Sequence, residues 1–546
     1  MRHITLLTGT CLALTLNAQW SLDAANPMTV CDAANSQRFM SVIGDGGTGW
    51  FVFWSDLRND PLKAQLFGQH FDEAGVAQWT PNGEMIFELP GRNVNEMAPV
   101  LMDNGDVMLA IMTSTSNANN ADTVRAIRID QNAQQVWSQP ALLSVNGSGI
   151  FGNCFYFSEP KGVRSGDGAY FCYHGDSQGS NGYYVMQRVR GDGSVAFDVP
   201  GIQVPYNAGY ANHTAYPDGA SGMVVSWRCS GGIGTCVRAI RVDTLGTADW
   251  AANLDITAGS GLGGARNITS DGVGGFLATW SDANADIAMM RFDTTGTVLW
   301  NPSPQFACNE SHDQQSPDAT VLGNVAYVVW TDNRPPANFR DLYMQKIDLT
   351  TGAHLWATDG VPVVQNNSYS PTARVVPSID GAIGIMDFTG TDQYCAMRMN
   401  SDGTQAWPAP TSFATTNLPN YDLRTELPDG QGGVVSFWTT TNNDLYGARI
   451  YANGELGNHI GIEEADMQVS FSLYPNPAAE TLTVASKTDR GLLSIEVFGI
   501  DGRVMHSNKL RTQGPALLNV SQYPSGVYAV RVSTRSGTST RNFIKQ

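Results

Sequence analysis

Charged side chains are scarce: they make up 15% of the 546 residues, and only six are lysines. There is no Cys-x-x-Cys pair, no His-Glu-x-x-His and no Gly-rich loop ending in Gly-Lys-Ser/Thr. Those absences remove the common zinc, metalloprotease and nucleotide-phosphate motifs. After the first sixteen residues, no stretch reaches the ~18 uninterrupted apolar residues that a membrane-crossing helix needs. No helix-length amphipathic pattern stands out either. Glycine is abundant at 57 residues, and Phe, Trp and Tyr together reach 10%. This is the composition of a turn-rich all-β protein.

The net charge of −18 is unevenly spread. From Ser470 onward, 9 Lys and Arg face 4 Asp and Glu, so the tail is at +5 and the rest of the chain at −23. An acidic body of that size repels nucleic acid and anionic lipid. The first residues form a short basic start at Arg2 and His3 and an apolar run from Ile4 to Leu16. Leu16-Asn17-Ala18 follows as a cleavage context, so residues 1–18 read as a signal peptide and Gln19 as the mature N-terminus.

Eight cysteines are present, and seven remain once Cys11 leaves with the leader. An exported chain meets an oxidising space, which permits disulfides. Cys229 and Cys236 flank Ser-Gly-Gly-Ile-Gly-Thr and are the expected pair, with Cys154 and Cys172 as a weaker second. Cys31, Cys308 and Cys395 are then left over, and at least one must be free.

The body from about 26 to 460 repeats one unit. A Gly-rich turn precedes an apolar strand, a polar loop, a strand carrying a basic residue, then a turn and an aromatic. The basic position recurs as His70, Arg128, Arg188, Arg241, Arg291, Lys346, Arg398 and Arg449, in steps of 50 to 60 residues. The aromatic recurs as Trp79, Trp137, Phe197, Trp250, Trp300, Trp356 and Trp407. A period near 50 with four short strands per unit is the pattern of β-propeller blades. We read eight blades, with seven as the alternative, because the eighth basic position has no following aromatic. The recurrent aromatics read first as packing between blades.

Trp54-Ser55-Asp56-Leu57-Arg58 and Trp330-Thr331-Asp332-Asn333-Arg334 resemble a propeller repeat of exported Bacteroidetes-type proteins, with Trp280-Ser281-Asp282-Ala283 a partial match. Trp54, Asp56, Arg58, Asp332 and Arg334 are candidate ligand contacts on one propeller face; an ordinary loop salt bridge is the competing reading. Asp282, Asn284 and Asp286 are spaced to offer oxygens to Ca²⁺, although Ile287 stands where the EF-hand pattern needs Gly. No other cofactor is expected. Gly175-Asp176-Ser177-Gln178-Gly179, beside His174, fits the G-x-S-x-G motif but reads as a loop between two strands of the third unit.

After an acidic linker at 461–469, residues 470–546 change character and read as a small antiparallel β-sandwich of immunoglobulin-like type. The segment opens with Tyr474-Pro475-Asn476-Pro477. It carries Asp501-Gly502-Arg503-Val504 at a hairpin, runs through Gly526-Val527-Tyr528-Ala529-Val530-Arg531, and ends near Lys545. It closely resembles the type A C-terminal sorting domain of the type IX secretion system. That resemblance implies passage through the periplasm, contact with the secretion machinery, and a secreted or outer-membrane-surface destination.

Repetition without a unique catalytic constellation favours a binding protein for glycan or protein ligands, with adhesion as one use. A glycoside hydrolase or sialidase-like enzyme on the same scaffold, and a structural surface-layer component, are the alternatives. The sialidase S-x-D-x-G-x-T-W box is absent.

Overall fold

The computed structural model describes residues 19–546 apart from 116–120, 146–153, 178–180, 208–212, 231–234, 249, 251–253, 256–261, 335–340, 366–371, 389–392, 421–422, 458–470, 487–491, 500–502, 513–514 and 535–536. The leader and the acidic linker expected from the sequence therefore lie outside the described residues. The chain divides into two compact units that part between Asn458 and His459.

Among the described residues, the first unit holds eight four-stranded antiparallel sheets. Blade one comprises Gln37–Gly44, Trp50–Asp56, Gln65–Phe71 and Glu84–Phe87, and its central strand is buried at every position. A strand buried on both faces cannot be stable in an isolated sheet, so the blades stack face to face. The first strand of each blade touches the first strand of the next, and that of blade eight touches that of blade one. The eight inner strands thus form a closed ring.

Blade eight is built from both ends of the unit. Arg424–Pro428, Val434–Thr439 and Leu445–Ile450 supply three strands, and Met28–Cys31 pairs antiparallel with Leu445–Ile450 as the fourth. This explains the missing eighth aromatic. Its place is filled by Trp20, which is 2% exposed and packs edge-on to Trp50 at 5.6 Å and to Phe437 at 5.8 Å.

The basic register of the repeat is one structural position. In every blade but the sixth, which has Lys346, the basic residue faces an Asp in the turn between the first two strands, as do Arg128 with Asp106 at 2.8 Å, Arg241 with Asp218 at 2.7 Å, Arg291 with Asp271 at 2.8 Å and Arg449 with Asp429 at 2.9 Å. Seven indole N–H groups, from Trp20 to Trp407, each donate to a turn carbonyl of the following blade at 2.8–3.2 Å. In blade two, Arg128 and Trp137 share the Gly191 carbonyl; in blade eight, Arg449 and Trp20 share that of Glu73. Glycine is required where the indole lies against the turn. Gly75 has a φ of 77°, and a Cβ there would stand 2.8 Å from the Trp20 backbone nitrogen and 3.0 Å from its indole ring.

Cys229 and Cys236 are direct partners across a hairpin, a placement compatible with a disulfide; their side chains lie outside the described ones. The second expected pair is corrected. Cys154 opposes Ser177 and Cys172 opposes Lys161, several rungs apart on one ladder, and Cys172 is a buried free thiol, as are Cys31 and Cys308.

The second unit is a two-sheet sandwich. Phe471–Tyr474, Thr481–Ser486 and Ala516–Asn519 form one sheet; Leu492–Gly499, Val504–Thr512, Gly526–Thr534 and Gly537–Lys545 form the other. Leu482, Val484, Ile495, Val497, Val530 and Phe543 fill the space between them. The strand opened by Gly526 is an interior strand rather than an edge, because Gly537–Lys545 pairs with it along its whole length.

Ring closure through Trp20 predicts that Trp20→Ala costs about 3–5 kcal/mol, whereas Leu245→Ala, at a site 81% exposed, stays within about 0.5 kcal/mol. Urea unfolding of the two variants measures the contrast.

Candidate functional site: an axial cavity

The Trp-Ser/Thr-Asp-x-Arg segments turn inward. Trp54 and Asp56 are fully buried, and the Trp54 indole N–H donates to Asp56 at 2.7 Å. Arg58 caps the same carboxylate, stacks over Phe67 at 4.1 Å, and reaches the Asn82 carbonyl and the Cys31 sulfur. Trp330, Asp332 and Arg334 repeat the arrangement against Tyr343, the Asp359 carbonyl and Cys308. Burial pushes the Cys31 thiol up to about 11 and that of Cys308 to about 12, so both stay neutral beside the guanidinium. Each set forms a clasp from one blade to the outer strand of the preceding one. In blade five, Asn284 stands at the Arg position, and the buried Trp280 indole nitrogen has no hydrogen-bond partner.

Asp282 of the Ca²⁺ candidate accepts the Asn284 and Asp286 amides at 2.8 and 3.0 Å, forming the turn of its own hairpin. Among the described residues, no group of three or more His, Cys, Asp and Glu could hold a metal ion. The G-x-S-x-G segment differs from the loop expected: strand Gly168–Ser177 continues through its first three residues, and Gln178 and Gly179 lie outside the described residues. A strand there does not supply the strand–turn–helix setting of a nucleophile elbow.

Several charged groups that the repeat does not use gather where the inner strands meet. A cavity of about 850 Å³ is bordered by the inner strands of blades one, two, three, four and seven and by Leu423 just before that of blade eight. Glu96, Glu159, Lys161, His213, Arg374 and Phe39 line it. Local backbone geometry turns several of them inward. The inner strands carry bulges between Arg38 and Ser41, Val94 and Met97, Ser158 and Lys161, and Gln315 and Asp318. Phe39, Glu159 and Ser316 sit in them with φ of 52°, 54° and 53°. A bulge adds one residue to one strand and re-aims side chains.

Glu96 accepts the Glu159 backbone amide at 2.5 Å. Burial drives its carboxyl above the usual range, outweighing that amide, and the Glu159 charge adds to the rise. Burial alone would raise Glu159 too, but His213, Lys161 and His174 together hold it below its ordinary value. His213 is 3% exposed; its Nδ1 stands 3.6 Å from a Glu159 oxygen, and neither ring nitrogen has a hydrogen-bond partner. Burial depresses its affinity for a proton, outweighing the opposite effect of Glu159. None of these residues stands out in the repeat, because each occurs at one inner-strand position of one blade.

Across the ring, Asp318 accepts the Val375 amide at 2.9 Å and faces Arg374 and Glu426. Burial raises its carboxyl to about 6 against Arg374 and the amides. A raised carboxyl favours the fold while protonated. That contribution is complete below about pH 4 and is lost as pH rises through about 6. Asp318→Asn should therefore match the wild type near pH 4 and exceed it by on the order of 2 kcal/mol at pH 7.5. Thermal unfolding of both proteins across this range measures the gap.

In the sandwich unit, Asn476 of the Tyr-Pro-Asn-Pro segment accepts the Ile544 amide at 2.8 Å and binds the last strand. Lys545 is 8% exposed, and Tyr528 donates to the Pro524 carbonyl at 2.9 Å and stacks on Phe543 at 5.5 Å. Arg531 lies 3.8 Å from Glu496. Tyr474 is 48% exposed.

Solved structures similar to the chain include the BP39L lectin from Burkholderia pseudomallei, at 13% identity and a TM-score of 0.42, covering 66% of this chain and 97% of that one. The α-L-arabinanase of Penicillium chrysogenum is 11% identical with a TM-score of 0.33, covering 68% and 96%. The β-propeller domain of the Trilobed protease from Pyrococcus furiosus is 8% identical with a TM-score of 0.37, covering 71% and 99%. None of the curated proteins compared with the chain matches it. Residues 472–546 match the family described as secretion system C-terminal sorting domain. With its ordered Tyr-Pro-Asn-Pro, Asp-Gly-Arg and terminal-strand motifs, the segment after the eight-bladed propeller is a C-terminal sorting domain of the type IX secretion system.

Proposed function

We propose that the propeller is a secreted or surface-held glycan-binding protein that takes its ligand in the axial cavity. The observation that carries this reading is the Glu96–Glu159 pair, backed by the buried His213 at 3.6 Å from Glu159, in a cavity of about 850 Å³. Carboxylate oxygens accept hydrogen bonds from sugar hydroxyls, and Phe39 offers an apolar face. A concave, polar, axial space suits one end of an oligosaccharide better than a flat protein partner. The clasp residues Trp54, Asp56, Arg58, Asp332 and Arg334 support this from a distance by fixing neighbouring blades.

The mature full-length protein should retain a defined subset of glycans on an array. Glu159→Ala should weaken that binding by about tenfold or more, the usual cost of losing a charged hydrogen-bond partner, while the exposed Asp402→Ala leaves it unchanged. Retention of no glycan, or equal retention by Glu159→Ala, refutes the reading.

The tail assigns the export route. Deleting residues 470–546 should leave the propeller in the periplasm, detected by fractionation and surface proteolysis. Normal arrival of the truncated chain at the surface contradicts the assignment.

A further inference from the structure

We propose that the axial cavity hydrolyses a glycosidic bond of the glycan it binds, with Glu96 as the proton donor and Glu159 as the base that activates water. This rests on the glycan-binding reading above and assigns chemistry to the same cavity.

Two carboxyls share one wall of the cavity, on neighbouring inner strands, and are tied by the Glu159 amide donating to Glu96 at 2.5 Å. Their surroundings differ. Glu96 is the more enclosed, and burial favours its protonated form. Glu159 keeps 41% of its side chain exposed and faces His213 at 3.6 Å, with Lys161 two residues along the same strand. One group is set to give a proton and the other to stay ionised in contact with water, the division that hydrolysis of an acetal needs. The bulge that displays Glu159 in the left-handed region, at φ 54°, recurs at Phe39 and Ser316, so the backbone is common to several blades and the carboxylate is particular to this one. His213 is a positioning residue: buried and 3.6 Å from Glu159, it contacts the base rather than the scissile bond.

The step balances with one water molecule. Glu96 gives its proton to the glycosidic oxygen as the bond to the anomeric carbon breaks. Water attacks that carbon from the opposite side, and its proton passes to Glu159. The products are a hemiacetal of inverted configuration and a free hydroxyl, and solvent returns the proton from Glu159 to Glu96.

The test uses the mature full-length protein with the glycans it retains on the array, and with 4-nitrophenyl and 2,4-dinitrophenyl α- and β-glycosides of the sugars they contain. Wild type should cut a retained glycan, with ¹H NMR showing the inverted anomer first. Glu159→Gln should lose about 100-fold or more on every substrate. Glu96→Gln should lose about 100-fold on sugar leaving groups but little on 2,4-dinitrophenyl glycosides, whose leaving group needs no proton. Circular dichroism and thermal unfolding of both variants should match the wild type, which shows that they fold. A rate of kcat/KM that falls on both sides of a pH optimum, with the alkaline limb missing in Glu96→Gln, separates a proton donor from a structural carboxyl. A retained glycan left intact by wild type overturns this inference and leaves the binding reading standing. Equal losses on both leaving groups in Glu96→Gln, or a retained anomer, overturn the assigned roles. Retention of no glycan removes both readings together.

Discussion

The propeller depends on one contact between neighbouring blades: an indole N–H, usually with a guanidinium or ammonium beside it, donating to a turn carbonyl of the next sheet. A four-stranded sheet with two apolar faces has no stability alone, and apolar stacking by itself has no register. The shared carbonyl fixes how far one blade is turned against the next. The Asp that faces the cation balances its charge inside the sheet edge, so the buried cation is not left uncompensated.

The ring has to close, and closure is where the repeat is broken. Blade eight borrows Met28–Cys31 and Trp20 from the other end of the unit, and Arg449, fully buried with Asp429, meets Trp20 at the Glu73 carbonyl. The Arg58 clasp acts at the same seam, because its guanidinium touches Cys31 on the borrowed strand. Once the inner strands are held in a circle, their bulges aim side chains at the axis. The same rigidity that makes Trp54 and Asp56 unavailable to a ligand makes Glu96, Glu159 and His213 well placed for one.

Much of this was legible in the sequence, for a physical reason: identical packing demands recur once per blade and leave a period. The basic register, the aromatic register and the eight-unit count all follow from it. Trp20 was missed because it belongs to blade eight only through space, some 430 residues from the end of its sheet in the chain. The cavity was missed for the opposite reason. Glu96, Glu159, Lys161, His213 and Arg374 occur once each, in strands whose alternation is interrupted, and the interruptions at Asn95-Glu96 and Glu159-Pro160 were the available signal. The motif that did stand out, Trp-Ser-Asp-x-Arg, stood out because it repeats, and it repeats because it is part of the scaffold. The sorting tail was readable because its motifs hold the final strand and recur in fixed order.

Hydrogen exchange of the native protein, read by mass spectrometry, tests ring closure most directly. If the first strand completes blade eight, the amides of Met28–Cys31 should exchange as slowly as those of Leu445–Ile450, and both should become labile together as denaturant is added. Exchange of Met28–Cys31 at the rate of an open chain while Leu445–Ile450 stays protected would show a ring that is not closed by its N-terminus.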